Sequence, residues 1–173
     1  MNLVVLPTHD ASGNVNVVVE TPRGSCVKIK YEVSLEAFKL SRPLALGVAY
    51  PFDWGFIPST RAADGDPLDA MVYHDVPTYP GLVIACRPLG VVKLRQKEPG
   101  TPRVENDRIL VVPAHEERWR DARRLHERVR EELEQFFAIV VSMTPKKVRV
   151  TAWTGPKAAQ KLIAKACRDY GRG

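Results

Sequence analysis

Three carboxylates lie within one six-residue segment, Asp64-Gly65-Asp66-Pro67-Leu68-Asp69, and their spacing suggests a metal site. Asp64 and Asp66 are two residues apart, so their side chains can point to the same side of an extended or turn-like segment. Gly65 permits a tight bend, and Pro67 stiffens the chain that follows. Three like charges this close repel one another, and Mg²⁺, which prefers carboxylate and water oxygens, would relieve that repulsion. The alternative is an acidic turn without a function.

Two other acidic motifs fit this segment less well. A calcium-binding EF-hand loop that began at Asp64 would need glycine at its sixth position and glutamate at its twelfth, where this chain has Asp69 and Asp75. The Asp-x-Asp pair of sugar-nucleotide transferases remains open, although those enzymes usually need a larger nucleotide-binding domain. The segment therefore favours a magnesium site.

Charged and aromatic residues that precede the acidic segment could complete a site for a polyanion. They are Glu20, Lys30, Glu32, Arg42 and Tyr50. Lys30 and Glu32 share one face of an alternating segment, which predicts a polar and accessible strand face. A metal ion would neutralise some oxygens of a polyanion, while lysine and arginine side chains would bind others.

In order and spacing, these residues resemble the family I (soluble) inorganic pyrophosphatases over residues 15–155. The resemblance rests on Glu20, Ile29-Lys30-Tyr31-Glu32, Arg42, Tyr50-Pro51-Phe52-Asp53-Trp54-Gly55-Phe56-Ile57-Pro58 and the acidic segment. It implies an OB-type barrel of five strands with flanking helices. It also implies Mg²⁺-dependent hydrolysis of inorganic diphosphate and, for bacterial members, a homohexamer.

The resemblance further implies roles for individual residues. The implied metal ligands are Asp64, Asp69, Asp66, Glu20, Glu32 and Asp107. The implied catalytic residues are Asp66, Lys30, Arg42 and Tyr50. The implied substrate-binding residues are Lys30, Arg42, Arg108 and Trp54. Within this set, Asp66 would orient or deprotonate the attacking water.

Two parts of the chain depart from the family pattern by losing phosphate contacts. Asp53-Trp54 stands where the family has Asn-Tyr, so an indole that donates one hydrogen bond replaces a phenol. Val140-Val141 stands where the family has a Tyr-Lys pair. A lost charge-assisted hydrogen bond costs about 1.5–3 kcal/mol, which predicts lower activity.

A third departure lies in a hairpin where the family has two aspartates and a lysine. Asn106 is in register with one aspartate, Asp107 is one position out of step, and Arg108 stands in for the lysine. Gln96 or Glu98 lies nearest to the position of the other aspartate. The second half of the site is therefore altered.

Two enzymatic interpretations follow from these departures. The chain is either a working diphosphatase with a rearranged phosphate site, or a divergent member with weak diphosphatase activity. Such a member would bind metal and phosphate or act on another phosphorylated compound. A nucleic-acid-binding barrel, suggested by the net charge of +6, is less well supported because the arginines of residues 116–141 alternate with glutamates. We expect inorganic diphosphate, not nucleic acid, as the partner.

The chain as a whole predicts one pyrophosphatase-like domain over residues 1–173. Its three cysteines have neither a disulfide pattern nor a zinc-ligand spacing, which indicates a reducing compartment. The sequence shows no signal peptide and no apolar run of the roughly 20 residues that a membrane span needs. We therefore expect a cytoplasmic protein without a membrane partner.

The predicted elements are mostly short strands followed by helices. Segments rich in β-branched residues predict strands over residues 15–20, 28–33, 70–73, 82–94, 109–112 and 146–153. Apolar residues recur every three or four positions from Glu116 to Val141, which predicts one long amphipathic helix. A closing helix is predicted from Pro156 to Asp169. These elements predict an α+β fold, mainly β: a small closed barrel with helices outside it.

Overall fold

The computed structural model describes residues 1–172. The strands and α-helices of this range follow one another as β1 (Val15–Thr21), β2 (Val27–Glu32), β3 (Ala37–Pro43), β4 (Asp53–Ile57), β5 (Leu68–Val72), β6 (Val83–Lys97), β7 (Val104–Glu105), β8 (Arg108–Pro113), α1 (Glu127–Ile139), β9 (Lys147–Trp153) and α2 (Pro156–Tyr170). No helix within residues 1–172 is long and apolar enough to cross a membrane.

Five of these strands close into a ring. β1 pairs with β4, β4 with β5, β5 with β8, and β8 with β6, which returns to β1. Every pairing in the ring is antiparallel except that of β5 with β8. The closed barrel of five strands is therefore confirmed. Beyond the ring, β6 continues to pair with β7 and β9, and β2 and β3 form a separate hairpin.

Aliphatic side chains fill the barrel because its strands alternate between inward and outward positions. Ile57, Val72 and Ile109 are fully buried in one cluster, which α2 covers with Ile163. On the other side, α1 packs Leu133 against a second cluster of the sheet. The two helices thus cover different faces of the barrel.

The long helix predicted from Glu116 to Val141 is wrong in its first half. α1 begins at Glu127, and the His126 ring accepts a hydrogen bond from Arg128 N at 3.2 Å as the helix cap. Before it, Ala122–Arg124 forms a single 3-10 turn whose first residue is preceded by Asp121. The Asp121 carboxylate binds the backbone N–H two residues later, which offers the chain an alternative to helical hydrogen bonding.

Candidate active site

A cavity of about 810 Å³ lies between the barrel, the β2–β3 hairpin and the C-terminal end of α1. It brings together nine of the residues predicted from sequence: Glu20, Lys30, Arg42, Tyr50, Trp54, Asp64, Asp66, Asp69 and Arg108. They come from six strands and two connecting segments. Glu20 and Arg108 are 88 positions apart in the sequence, and the fold brings them to the same cavity.

The acidic segment forms a turn that leads into β5. Gly65 has a φ of +90°, a left-handed conformation that glycine adopts without the strain other residues would have. The turn is closed by hydrogen bonds from Ala62 N to the Asp66 carbonyl at 2.7 Å and from Asp66 N to Asp64 Oδ1 at 3.2 Å. Asp69 follows within β5 itself. Two aspartates are thus carried by a turn and the third by a strand.

Basic side chains already approach two of these three carboxylates. Arg108 Nη1 lies 2.5 Å from Asp69 Oδ2. Lys30 Nζ lies 3.7 Å from Asp66 Oδ2. The cavity is therefore a place where acidic and basic groups alternate rather than a purely acidic pocket.

Glu20, which is buried, and Lys28, which is half-buried, line the same cavity as this turn. Glu20 is 8% exposed, and its carboxylate accepts a hydrogen bond from Tyr31 N at 2.7 Å. Burial, with the nearby charge of Asp69, raises the pKa of Glu20 to about 7. Burial also lowers the pKa of Lys28, and the like charge of Lys30 adds to that shift. Lys28 was not among the predicted site residues, although its alternation with Lys30 was a usable signal.

Arg42 and Tyr50 meet the C-terminal end of α1. Arg42 Nη2 donates a hydrogen bond to the carbonyl of Val140 at 2.5 Å, where the helix dipole favours a cation. The Tyr50 ring packs edge-on against Trp54 and Phe136, with centroid distances of 5.5 and 5.2 Å. Burial raises the pKa of Tyr50 to about 12, so its hydroxyl stays protonated at neutral pH.

A row of hydrogen bonds forms another wall of the cavity, and it runs from Arg108 in β8 to Glu98, just after β6. Arg108 Nη1 donates to Asn106 Oδ1 at 2.5 Å, and Asn106 Nδ2 donates to Gln96 Oε1 at 3.1 Å. Gln96 Nε2 in turn donates to Glu98 Oε1 at 3.1 Å. Glu98 also forms an ion pair with Lys146, at 2.6 Å. Neutral amides thus occupy the middle of this wall.

Two predicted metal ligands do not line the cavity. Glu32, at the end of β2, accepts a hydrogen bond from Ser34 Oγ at 2.9 Å. Asp107 pairs with Lys93 at 3.1 Å and accepts a hydrogen bond from Leu94 N at 3.2 Å. Asp107 lines a smaller adjoining cleft of about 160 Å³, which Asp64 and Asp69 also line.

Asp53 is a buried carboxylate on the far side of β4 from Trp54. It accepts hydrogen bonds from Arg23 N at 2.7 Å and Thr78 Oγ1 at 2.6 Å, and His74 Nε2 lies 2.8 Å away. Burial acts to raise the pKa of Asp53, but these hydrogen bonds outweigh it and lower the pKa. The residue links three chain segments outside the cavity.

The acidic turn fits a hydrated divalent cation. No three carboxylate, imidazole or thiol groups within residues 1–172 are arranged so that they alone could hold a metal ion. Mg²⁺, however, usually keeps several waters and binds through one or two carboxylates together with substrate phosphates. Asp64 and Asp66 offer hard oxygen donors of this kind on an exposed turn. Water and phosphate oxygens would supply the remaining ligands.

Comparisons with known proteins agree with this arrangement. The sequence model of the family described as inorganic pyrophosphatase matches residues 17–171. The inorganic pyrophosphatase of Synechocystis is 34% identical over 98% of this chain and 99% of its own length. That of Thermus thermophilus is 38% identical over 96% of this chain and 95% of its own length. The crystal structure of inorganic pyrophosphatase from Thermus thermophilus matches with a TM-score of 0.90 and 35% identity, covering 99% of each chain.

Proposed function

This chain belongs to the inorganic pyrophosphatase family, and we therefore propose that its cavity hydrolyses inorganic diphosphate with Mg²⁺ as the metal. The observation that carries this proposal is one cavity in which an acidic turn faces basic side chains. Those of residues 1–172 are Lys28, Lys30, Arg42, Arg108 and Lys146. Carboxylates alone would repel diphosphate, and basic residues alone would bind it without activating water.

The metal would supply a water of lowered pKa as the nucleophile and would screen the charge of the diphosphate. Asp66 is the residue that would accept the proton of this water, since its side chain is 70% exposed and faces the cavity. Lys30, 3.7 Å away, would hold the phosphate that is attacked. Attack by water and loss of orthophosphate as the leaving group would give two orthophosphates.

Arg42 would bind the leaving phosphate. One of its nitrogens is held by the carbonyl of Val140, and a guanidinium has further N–H groups that can bind phosphate oxygens. Because this contact fixes the side chain before substrate arrives, little reorganisation is needed as charge develops on the leaving group. Tyr50 would support the acidic cluster through its packing at the base of the cavity.

One observation favours a second function, weak hydrolysis or action on another phosphorylated compound. Apolar residues line the side of the cavity where the family pattern has a tyrosine and a lysine. They include Val104, Val140, Val141 and Val148. An apolar wall binds phosphate poorly but would tolerate an organic group attached to it.

The assembly and compartment are also proposals. The resemblance to bacterial family members supports a homohexamer in the cytoplasm. Light scattering coupled to size-exclusion chromatography would measure the assembly, and a mass near that of the 19.4 kDa chain would contradict the hexamer.

The test of the proposed function is release of orthophosphate from diphosphate, with and without Mg²⁺. We expect metal-dependent turnover in the wild type and a loss of at least about 100-fold in Asp66→Asn, since general-base catalysis contributes 10²–10⁴-fold. Asp75→Asn is the matched control, because this carboxylate is 79% exposed and lies outside the cavity. Turnover of Asp66→Asn equal to that of the control would contradict the proposal.

A further inference from the structure

The two carboxylates that have basic partners differ in how easily a metal ion can reach them. The side chains of Arg108 and Asp69 are 14% and 30% exposed, and their closest atoms are 2.5 Å apart. The side chains of Lys30 and Asp66 are 49% and 70% exposed and 3.7 Å apart. Water screens the second pair much more strongly, so a metal ion can displace Lys30 more easily than Arg108.

Arg108 is also fixed by contacts other than Asp69. Its Nη1 donates to the side chain and the carbonyl of Asn106, at 2.5 and 3.2 Å. Its guanidinium carbon lies 5.9 Å from the ring centre of Trp54, within the range of a cation–π contact. An outward swing of Arg108 would lose these contacts and leave Asp69 without its counter-charge.

The wall behind Arg108 reinforces this position. Asn106 is held by Gln96, Gln96 by Glu98, and Glu98 by Lys146. The Asn106 amide accepts from the guanidinium, and Gln96 accepts from Asn106, but neither amide adds a negative charge that would attract a metal ion. Within residues 1–172, six acidic and five basic side chains line the cavity, so its formal charge is −1 before any metal binds. A single divalent cation would make it positive.

We propose that Arg108 serves as a resident cation at Asp69. Divalent metal ions then bind through Asp64 and Asp66, and the site holds fewer of them than its three aspartates would allow. This inference rests on the metal-binding role proposed for the aspartate turn. It assigns to a side chain part of the charge neutralisation that a dissociable metal ion would otherwise supply.

Counting bound Mn²⁺ without substrate tests the proposal directly. The free Mn²⁺ signal in electron paramagnetic resonance gives the number bound per protomer and their affinities. We expect Arg108→Gln to bind one additional Mn²⁺, or to bind its weakest Mn²⁺ about tenfold more tightly, because a competing charge has been removed. Arg103→Gln is the matched control: it loses the same charge from an exposed loop residue and should bind Mn²⁺ as the wild type does.

A double-mutant cycle then shows whether Arg108 acts through Asp69. We expect the gain in Arg108→Gln to disappear in the Asp69→Asn background. A gain that persists there would overturn the proposal, because Arg108 would then repel metal ions generally. Equal Mn²⁺ numbers, with affinities within about twofold in wild type and Arg108→Gln, would overturn it as well.

A second variant and a separate assay keep these outcomes interpretable. If Arg108→Gln does not fold, Arg108→Met repeats the measurement with a side chain that retains an apolar stem against Trp54. The phosphate-release assay is separate: absence of diphosphate hydrolysis in the wild type would refute the proposed function while leaving the Mn²⁺ counts decisive for Arg108.

Discussion

Val141 is the residue at which a single substitution can test the altered phosphate site. It lines the cavity just beyond α1, near the carbonyl of Val140 that Arg42 binds. We expect Val141→Lys to raise diphosphate hydrolysis by about 10-fold or more, because one charge-assisted hydrogen bond contributes about 1.5–3 kcal/mol. The steady-state rate of orthophosphate release at saturating Mg²⁺ measures the gain.

Ile139→Lys is the control for Val141→Lys. Ile139 is 43% exposed at the end of α1 and does not line the cavity, so this variant adds the same charge nearby without reaching the substrate. An equal rise in both variants would show that net charge, rather than a contact with phosphate, is responsible.

The placement of single side chains was predictable where strand alternation decides it. Residues two apart in a strand point to the same face, and Lys28 and Lys30 of β2 both line the cavity as this alternation predicts. Asn106 and Asp107 lie between β7 and β8, so strand alternation does not decide their direction, and the metal-binding role of Asp107 stays a prediction. The contact of Arg108 with Asp69 joins residues 39 positions apart and has no local signal in the sequence.

At the scale of elements, Gly55 decides how closely β4 can approach β1. A Cβ atom at this position would lie 1.9 Å from the carbonyl oxygen of Val18, which is backbone and cannot rotate away. We therefore expect Gly55→Ala to lower the free energy of unfolding by about 3 kcal/mol or more. Chemical denaturation followed by tryptophan fluorescence would measure this change.

Gly171→Ala is the comparison for Gly55→Ala. Its φ is −72°, and the nearest atom to an added Cβ is 3.7 Å away, so alanine fits there without strain. We expect a change within about 1 kcal/mol at this position. Equal destabilisation by the two substitutions would contradict the packing argument.

The elements themselves were predictable to different degrees. The local sequence was enough to predict β1 and β8, which are runs of β-branched residues, and α2, which has an amphipathic repeat. β3 and β4 were not predicted: β3 is largely exposed, and β4 contains the glycine that its packing requires. The predicted start of α1 was wrong because apolar spacing alone reveals neither the 3-10 turn that follows Asp121 nor the helix cap at His126.

At the scale of the whole molecule, Asp53 joins the segment after β1 to that after β5. Its pKa is lowered, so its stabilising contribution is fully present above the unfolded value of about 3.8 and is lost as pH falls through the lower folded value. We expect Asp53→Asn to cost about 1–3 kcal/mol at pH 7, since neutral hydrogen bonds replace charged ones.

Unfolding measured between pH 2 and pH 5 would check this linkage. Stability should fall less steeply with acid in Asp53→Asn than in the wild type, because one titrating group has been removed. Asp75→Asn, an exposed carboxylate near the same segment, should keep the wild-type slope. Parallel curves for wild type and Asp53→Asn would show that Asp53 carries no part of the acid sensitivity.

The length of β6 has a consequence for local motion. Residues 83–92 pair within the closed ring, whereas residues 94–97 extend past it toward β7 and β9. Amide hydrogens of residues 83–92 should exchange with solvent through global unfolding. Those of residues 94–97 should exchange through local separation of β6 from β7 and β9. One continuous strand therefore links the most protected part of the protein to the wall that orients Arg108. Deuterium uptake along β6 would show how independently that wall moves.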